Sequence, residues 1–255
     1  MWRRLRIGIL LLVLVSVAQS AWVARTRTAA WKTSLRVVIY PISADASATS
    51  ALYVSELRKT TFDPIEAFFR TEGKQYGVSL GDPVDVFLAP EILSRPPVPP
   101  FGGSTLRIVL WSLELRYWAW WNDTYRGPKP DVRLFVSYHD PTLTQRLPHS
   151  TGLQKGLLGL VNAFAESGQE GSNNVVITHE LLHTLGATDK YDPDGNLPLF
   201  PDGFADPDAR PRYPQQRAEI MAGRIPISAT RAEMAEGMKQ VVIGAKTARE
   251  ISWTR

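Results

Sequence analysis

Apolar runs of strand length alternate along the chain with stretches of helical period. Leu35 to Ile42 (LRVVIYPI) is β-branched and reads as a central strand. Leu52 to Thr71 has helical spacing, with Ile65, Phe68 and Phe69 on one side and a break or fresh start at Asp63-Pro64. Val84 to Ala89 is a second strand. Ser94 to Gly103 (SRPPVPPFGG) is loop, because proline at that density excludes helix and interior strand. Leu106 to Trp121 is apolar almost all round, which predicts a buried helix with its tryptophans in the core, a strand being the other reading. Val132 to Tyr138 and Gly156 to Ala165 read as strands, the second with glycines that suit an edge. Ser172 to Leu185 reads as a helix capped by Ser172, Asn173 or Asn174. Asp192 to Pro214 is a long loop, and Thr230 with Glu233 forms a capping-box pattern opening a last helix that ends near Ile251. The order predicts an α+β domain over residues 29–255, a sheet covered by helices with no internal repeat or linker.

The first 28 residues follow a different pattern. Arg3, Arg4 and Arg6 precede an apolar run from Ile7 to Ala18, and Ala18-Gln19-Ser20 offers small residues for cleavage before Ala21. This reads as a signal peptide. Extended through residues 7–24, the run nears ~18 residues and reads equally as an N-terminal membrane anchor. Either reading places the remainder of the chain outside the cytoplasm, periplasmic or extracellular, with membrane contact only through this segment if it stays uncleaved. The formal net charge of +4 falls to +1 without the three arginines. Charge therefore gives no case for nucleic-acid binding. The chain has no cysteine, which excludes disulfides, thiolate metal sites and cysteine nucleophiles.

Chemistry concentrates in Ile177 to Asp192, ITHELLHTLGATDKYD. Two of the four histidines, His179 and His183, lie four residues apart, one turn above the other on one helix face. Neutral imidazoles so placed suit zinc. Glu180 is rotated off that line, beside the metal rather than on it, where a carboxylate can act as general base. This is HExxH. A third ligand is required; Gly186 can stop the helix and let the chain turn back to bring in Asp189, with Asp192 and His149 as rivals. Asp192, Asp194, Asn196, Asp202, Asp206 and Asp208 offer oxygen ligands for Ca2+, but the EF-hand spacing and closing glutamate are missing, and turn chemistry accounts for them.

HELLHTLGATD resembles the metzincin metalloprotease signature HExxHxxGxxH with aspartate in place of the last histidine, as in snapalysin-type proteases. The resemblance implies one catalytic Zn2+ held by His179, His183 and Asp189, and a methionine turn at Ala218 to Gly223 with Met221 beneath the metal. It also implies a mixed twisted sheet, an active-site helix and a C-terminal helix. An antiparallel edge strand would bind substrate, and Gly156 to Ala165, with Leu160, Val161, Asn162, Ala163 and Phe164, would be that strand. No tyrosine follows Met221, so Tyr191, Tyr213 and His149 are the candidates for stabilising an oxyanion. The function implied is that of an exported zinc endopeptidase hydrolysing peptide bonds through a metal-bound water. The alternatives are a zinc amidase acting on cell-wall peptides and a non-catalytic binding module.

Overall fold

The computed structural model describes residues 30–100 and 104–254, with Arg6 and Gly8. The expected export segment lies outside the described residues. The first strand, β1 (Leu35–Ser43), shows how the sheet is built. Its side chains alternate between two cores: Val37 and Ile39 enter one, Val38, Tyr40 and Ile42 the other. Such a strand is buried on both faces, as its nearly continuous apolar sequence requires.

Parallel to β1 lie β2 (Val84–Leu88) on one side and β3 (Val132–His139) on the other, and β5 (Leu158–Phe164) runs parallel to β3. A three-residue strand, β4 (Thr151–Leu153), pairs antiparallel with β5 and ends the sheet, giving the order β2-β1-β3-β5-β4. Pro41 is tolerated in the middle of the sheet because β2 has already stopped opposite Ile39.

Helices cover both faces. The expected helical region from Leu52 to Thr71 is two helices. The first, α1 (Ala48–Glu56), is capped by the Ser47 hydroxyl, which accepts from the Ser50 amide. The second, α2 (Asp63–Gln75), has Pro64 in its first turn and buries Ile65, Phe68 and Phe69. On the opposite face lies α3 (Thr105–Trp121). The helix bearing the histidines, α4 (Glu170–Leu185), packs under β3, β4 and β5. Among the described residues no helix is long and apolar enough to cross a membrane.

Four expectations are corrected. The apolar helix α3 is not buried: only Trp111, Leu115 and Ala119 are enclosed, while Trp120 and Trp121 face solvent. Gly156 to Ala165 is not the edge, because β4 lies outside it. Beyond β4, the Ser150 hydroxyl accepts from the Asn162 amide, and the Asn173 side chain bonds both backbone groups of Phe164. Asn173 is thereby committed to the sheet, Asn174 to the Thr61 carbonyl and Ser172 to Gln169, so none of the three caps α4, which begins earlier. Finally, Thr230 and Glu233 do not open a helix. Strand β6 (Arg224–Ser228) instead pairs with β7 (Arg231–Met234) in a hairpin. Glycines at 237 and 244 delay the last helix, α5, to Ala245–Glu250.

Candidate metal centre

The apolar side of α4 (Ile177, Leu181, Leu182 and Leu185) enters the core, which fixes the rotation of the helix and turns His179 and Glu180 toward a cleft, with His183 one turn further along. Gly186 ends the helix with φ of 107°, and the Ala187 amide reaches back to the Leu182 carbonyl. A side chain at 186 would be strained by that φ and would meet Gln154. The chain then reverses, as the spacing predicts. The reversal is held by Glu250, whose carboxylate accepts from the Thr188 amide and hydroxyl and from the ammonium of Lys190 at 2.7 Å. Lys190 is 1% exposed, and its amide donates to the Met221 carbonyl.

Asp189, set by these bonds, meets both histidines. Its Oδ1 lies 3.2 Å from His179 Nε2 and 3.0 Å from His183 Nε2, and the two Nε2 atoms are 3.0 Å apart. The other ring nitrogens face backbone carbonyls: His179 Nδ1 donates to Ile220 at 3.0 Å and His183 Nδ1 to Ala187 at 2.9 Å. A carbonyl oxygen only accepts, so both Nδ1 atoms carry the hydrogen. In the neutral rings, the two Nε2 lone pairs and a carboxylate oxygen then point at one another. That arrangement requires a cation or a shared proton at the centre. Donors about 2.0–2.1 Å from a tetrahedral zinc stand roughly 3.3 Å apart. The observed triangle is slightly smaller.

Electrostatics follow from this arrangement. Burial opposes ionisation of Asp189, but the bonds from His179 and His183 outweigh it and hold the carboxyl below the usual carboxylate range. Burial likewise opposes charging of His179, while the bond to Asp189, the Glu180 charge and the Ile220 carbonyl raise its pKa overall.

His179, Glu180 and His183 form a cluster whose ligand-capable atoms lie within 4.8 Å of one another. The set containing Asp189 is tighter, and Glu180 stands beside it. Glu180 is 6% exposed, and its Oε2 is buried without a hydrogen-bond partner. Burial pushes its pKa up; the neighbouring histidines and the Gly152 amide oppose that. An orphaned carboxylate oxygen in a cleft is uncommon in a folded chain.

The turn at 220–222 lies against His179 through the Ile220 carbonyl. Met221 is fully buried in it. The turn is organised by Glu219, a buried carboxylate that the sequence reading passed over. Glu219 accepts from the amides of Met221, Ala222 and Gly244 and from the Thr247 hydroxyl. The available sequence signals were weak: a lone acid between apolar residues for Glu219, and a lysine directly after Asp189 for Lys190.

The cleft in front of these groups encloses about 280 Å³, with His149, Asn162, Val176, Tyr191 and Arg224 on its walls. Of the rival third ligands, Asp192 uses its carboxylate on the amides of Asp194 and Gly195, while His149 lines the cleft. Asp206 likewise accepts from the Asp208 amide, and Asp202 pairs with Lys246, so these acids of the long loop serve turns and an ion pair. Tyr191 also lines the cleft, its ring 6.4 Å from His179, whereas Tyr213 packs on Phe204. From the expected substrate strand only Asn162 reaches the cleft; Leu160, Val161 and Ala163 are in the core. Gly152 of β4 passes so near α4 that a Cβ there would touch His183 and the Glu180 carbonyl. The edge of the sheet thus runs directly beside the site. No family model matches this chain, and no curated protein does.

Proposed function

We propose that the chain is an exported, zinc-dependent endopeptidase of metzincin type. Support comes chiefly from the convergence of His179, His183 and Asp189 on one point 3.0–3.2 Å from corner to corner, with the free Glu180 oxygen beside it. The antiparallel strand ending the sheet next to the histidine helix also agrees with what the resemblance implies. Bound there, zinc would supply a Lewis acid for a scissile carbonyl. The Ile220 and Ala187 carbonyls hold the two imidazoles in the tautomer that leaves Nε2 free to ligate. Glu180 takes a proton from the attacking water and returns it to the leaving amine; its burial keeps that proton exchange out of bulk solvent. Tyr191 is the better placed of the two tyrosines to donate to the developing oxyanion, since it faces the cleft. An extended peptide would add to the free edge of β4, rather than to β5.

The test is proteolysis of casein by the full chain, with zinc content measured in parallel. Glu180→Gln is expected to keep its zinc and lose cleavage. Equal cleavage by both proteins removes the proposal. Hydrolysis of peptidoglycan fragments with no action on casein assigns the site to an amidase instead.

A further inference from the structure

Helix α3 is apolar on two opposite faces, and only one has a partner. Trp111, Leu115 and Ala119 recur every four residues and pack against Val38, Tyr40, Ile42 and Phe135. The reverse side carries Leu106, Val109, Leu110, Leu113, Tyr117, Trp120 and Trp121, again three or four apart, forming one stripe about a third of the helix circumference wide. All seven are exposed, Leu110 at 57%, Tyr117 at 62% and Trp121 at 70%. Leu93, in the preceding loop, is also exposed, at 89%. An apolar stripe of this length on a solvent-facing helix marks a binding surface rather than ordinary scatter.

We propose that this face of α3 seats on an anionic lipid bilayer. Two observations select that occupant. First, the stripe is graded: aliphatic along its first half, aromatic at its C-terminal end, where Tyr117, Trp120 and Trp121 form a cluster with ring centroids 6.1–6.2 Å apart. Tyrosine and tryptophan, with apolar bodies and polar tips, suit the headgroup level. Second, exposed cations accompany the helix. Arg95, Arg107, Arg126 and Lys129 stand on it and on its flanking segments; the acids there are Glu91 and Glu114, with Asp123 and Asp131 already paired to Arg133 and Arg36. The helix lies in the interface rather than across it: it has 17 residues, includes Glu114 and Arg116, and its back is packed on the sheet. This proposal stands apart from the metal centre, on the opposite face of the sheet.

The chain lacks cysteine, so one introduced cysteine is a unique attachment point. The full chain carrying Leu113→Cys, labelled with an environment-sensitive fluorophore, is reconstituted with vesicles of phosphatidylcholine and phosphatidylglycerol, some with brominated acyl chains. The same label at Lys74→Cys, exposed on α2 and across the sheet, is the reference. Both variants change exposed residues, and circular dichroism checks their fold. The expected result is quenching several-fold stronger at 113 than at 74. Equal quenching at both positions overturns the proposal. So does a label at 113 that is already shielded without vesicles, because the stripe is then covered by the chain itself or by a second copy.

Discussion

Helices α3 and α4 are of similar length, 17 and 16 residues, and lie on opposite faces of one sheet. In α4 most of the circumference is buried, and what remains carries two imidazoles, with His179 and the Glu180 carboxylate lining the cleft. In α3 most of the circumference is exposed, and the exposed side is apolar. Hydrophobicity alone would have ranked α3 as the deeper helix. The comparison teaches that apolar periodicity reports which faces want a partner, not whether this chain supplies one. A polar constellation at fixed offsets reports a geometry that the helix itself enforces.

The sharpest contrast is in catalysis. Glu180→Gln is expected to lower kcat on a soluble peptide by about 10²–10⁴-fold, the usual worth of a positioned general base. Trp121→Ser should leave kcat unchanged in the same assay. If the two variants lose activity alike, the division of labour between the helices is wrong. Next is the support of the histidine helix. Glu219→Ala strips acceptors from the Met221, Ala222 and Gly244 amides and the Thr247 hydroxyl, joining the turn to the start of α5. It should cost several kcal/mol by urea unfolding, because buried donors left without an acceptor cost about 1–3 kcal/mol each. Weaker zinc binding should accompany it through the Ile220 carbonyl. Glu219→Gln, which keeps the shape and one acceptor, should recover part of both.

A third pair probes α3 itself. Leu115→Ala empties a site with 0% exposure and should cost about 2–5 kcal/mol. Leu113→Ala, two residues away on the outward face, should change stability in solution by less than about 0.5 kcal/mol. Comparable losses would mean that something covers the stripe. The smallest effect sets a baseline away from both helices. Burial opposes ionisation of Asp45, but the bonds from the Ser50 hydroxyl, the Asp140 amide and Ser47 outweigh it, so its folded pKa lies below the ordinary value. A carboxyl depressed in the folded state adds stability above its unfolded pKa of about 3.9 and loses it as pH falls through the folded value. Asp45→Asn should therefore be less stable at pH 7 and show a shallower loss below pH 4, with zinc content and peptide cleavage unaltered.

Much of the sheet was legible because β1, β3 and β5 are long, apolar and regular, and the structure places them within a residue or two of the expected bounds. The histidine helix and its stop at Gly186 were legible for a local reason: a spacing of four and a glycine suited to the left-handed region. What escaped was non-local. The edge β4 has three residues and no apolar period, so only its pairing with β5 defines it. Arg231 to Met234 carries a capping pattern, yet the partner strand Arg224–Ser228 draws it into a hairpin. The Lys190–Glu250 pair and the Glu219 bonds join residues 60 and up to 28 positions apart, and no local rule foresees them.

The most direct test of the central claim is calorimetric titration of zinc into the metal-stripped full chain. One zinc per chain is expected, lost or strongly weakened in His183→Ala and in Asp189→Ala and retained in Glu180→Gln. A chain that takes up no zinc, or that binds it equally well without His183, would contradict it.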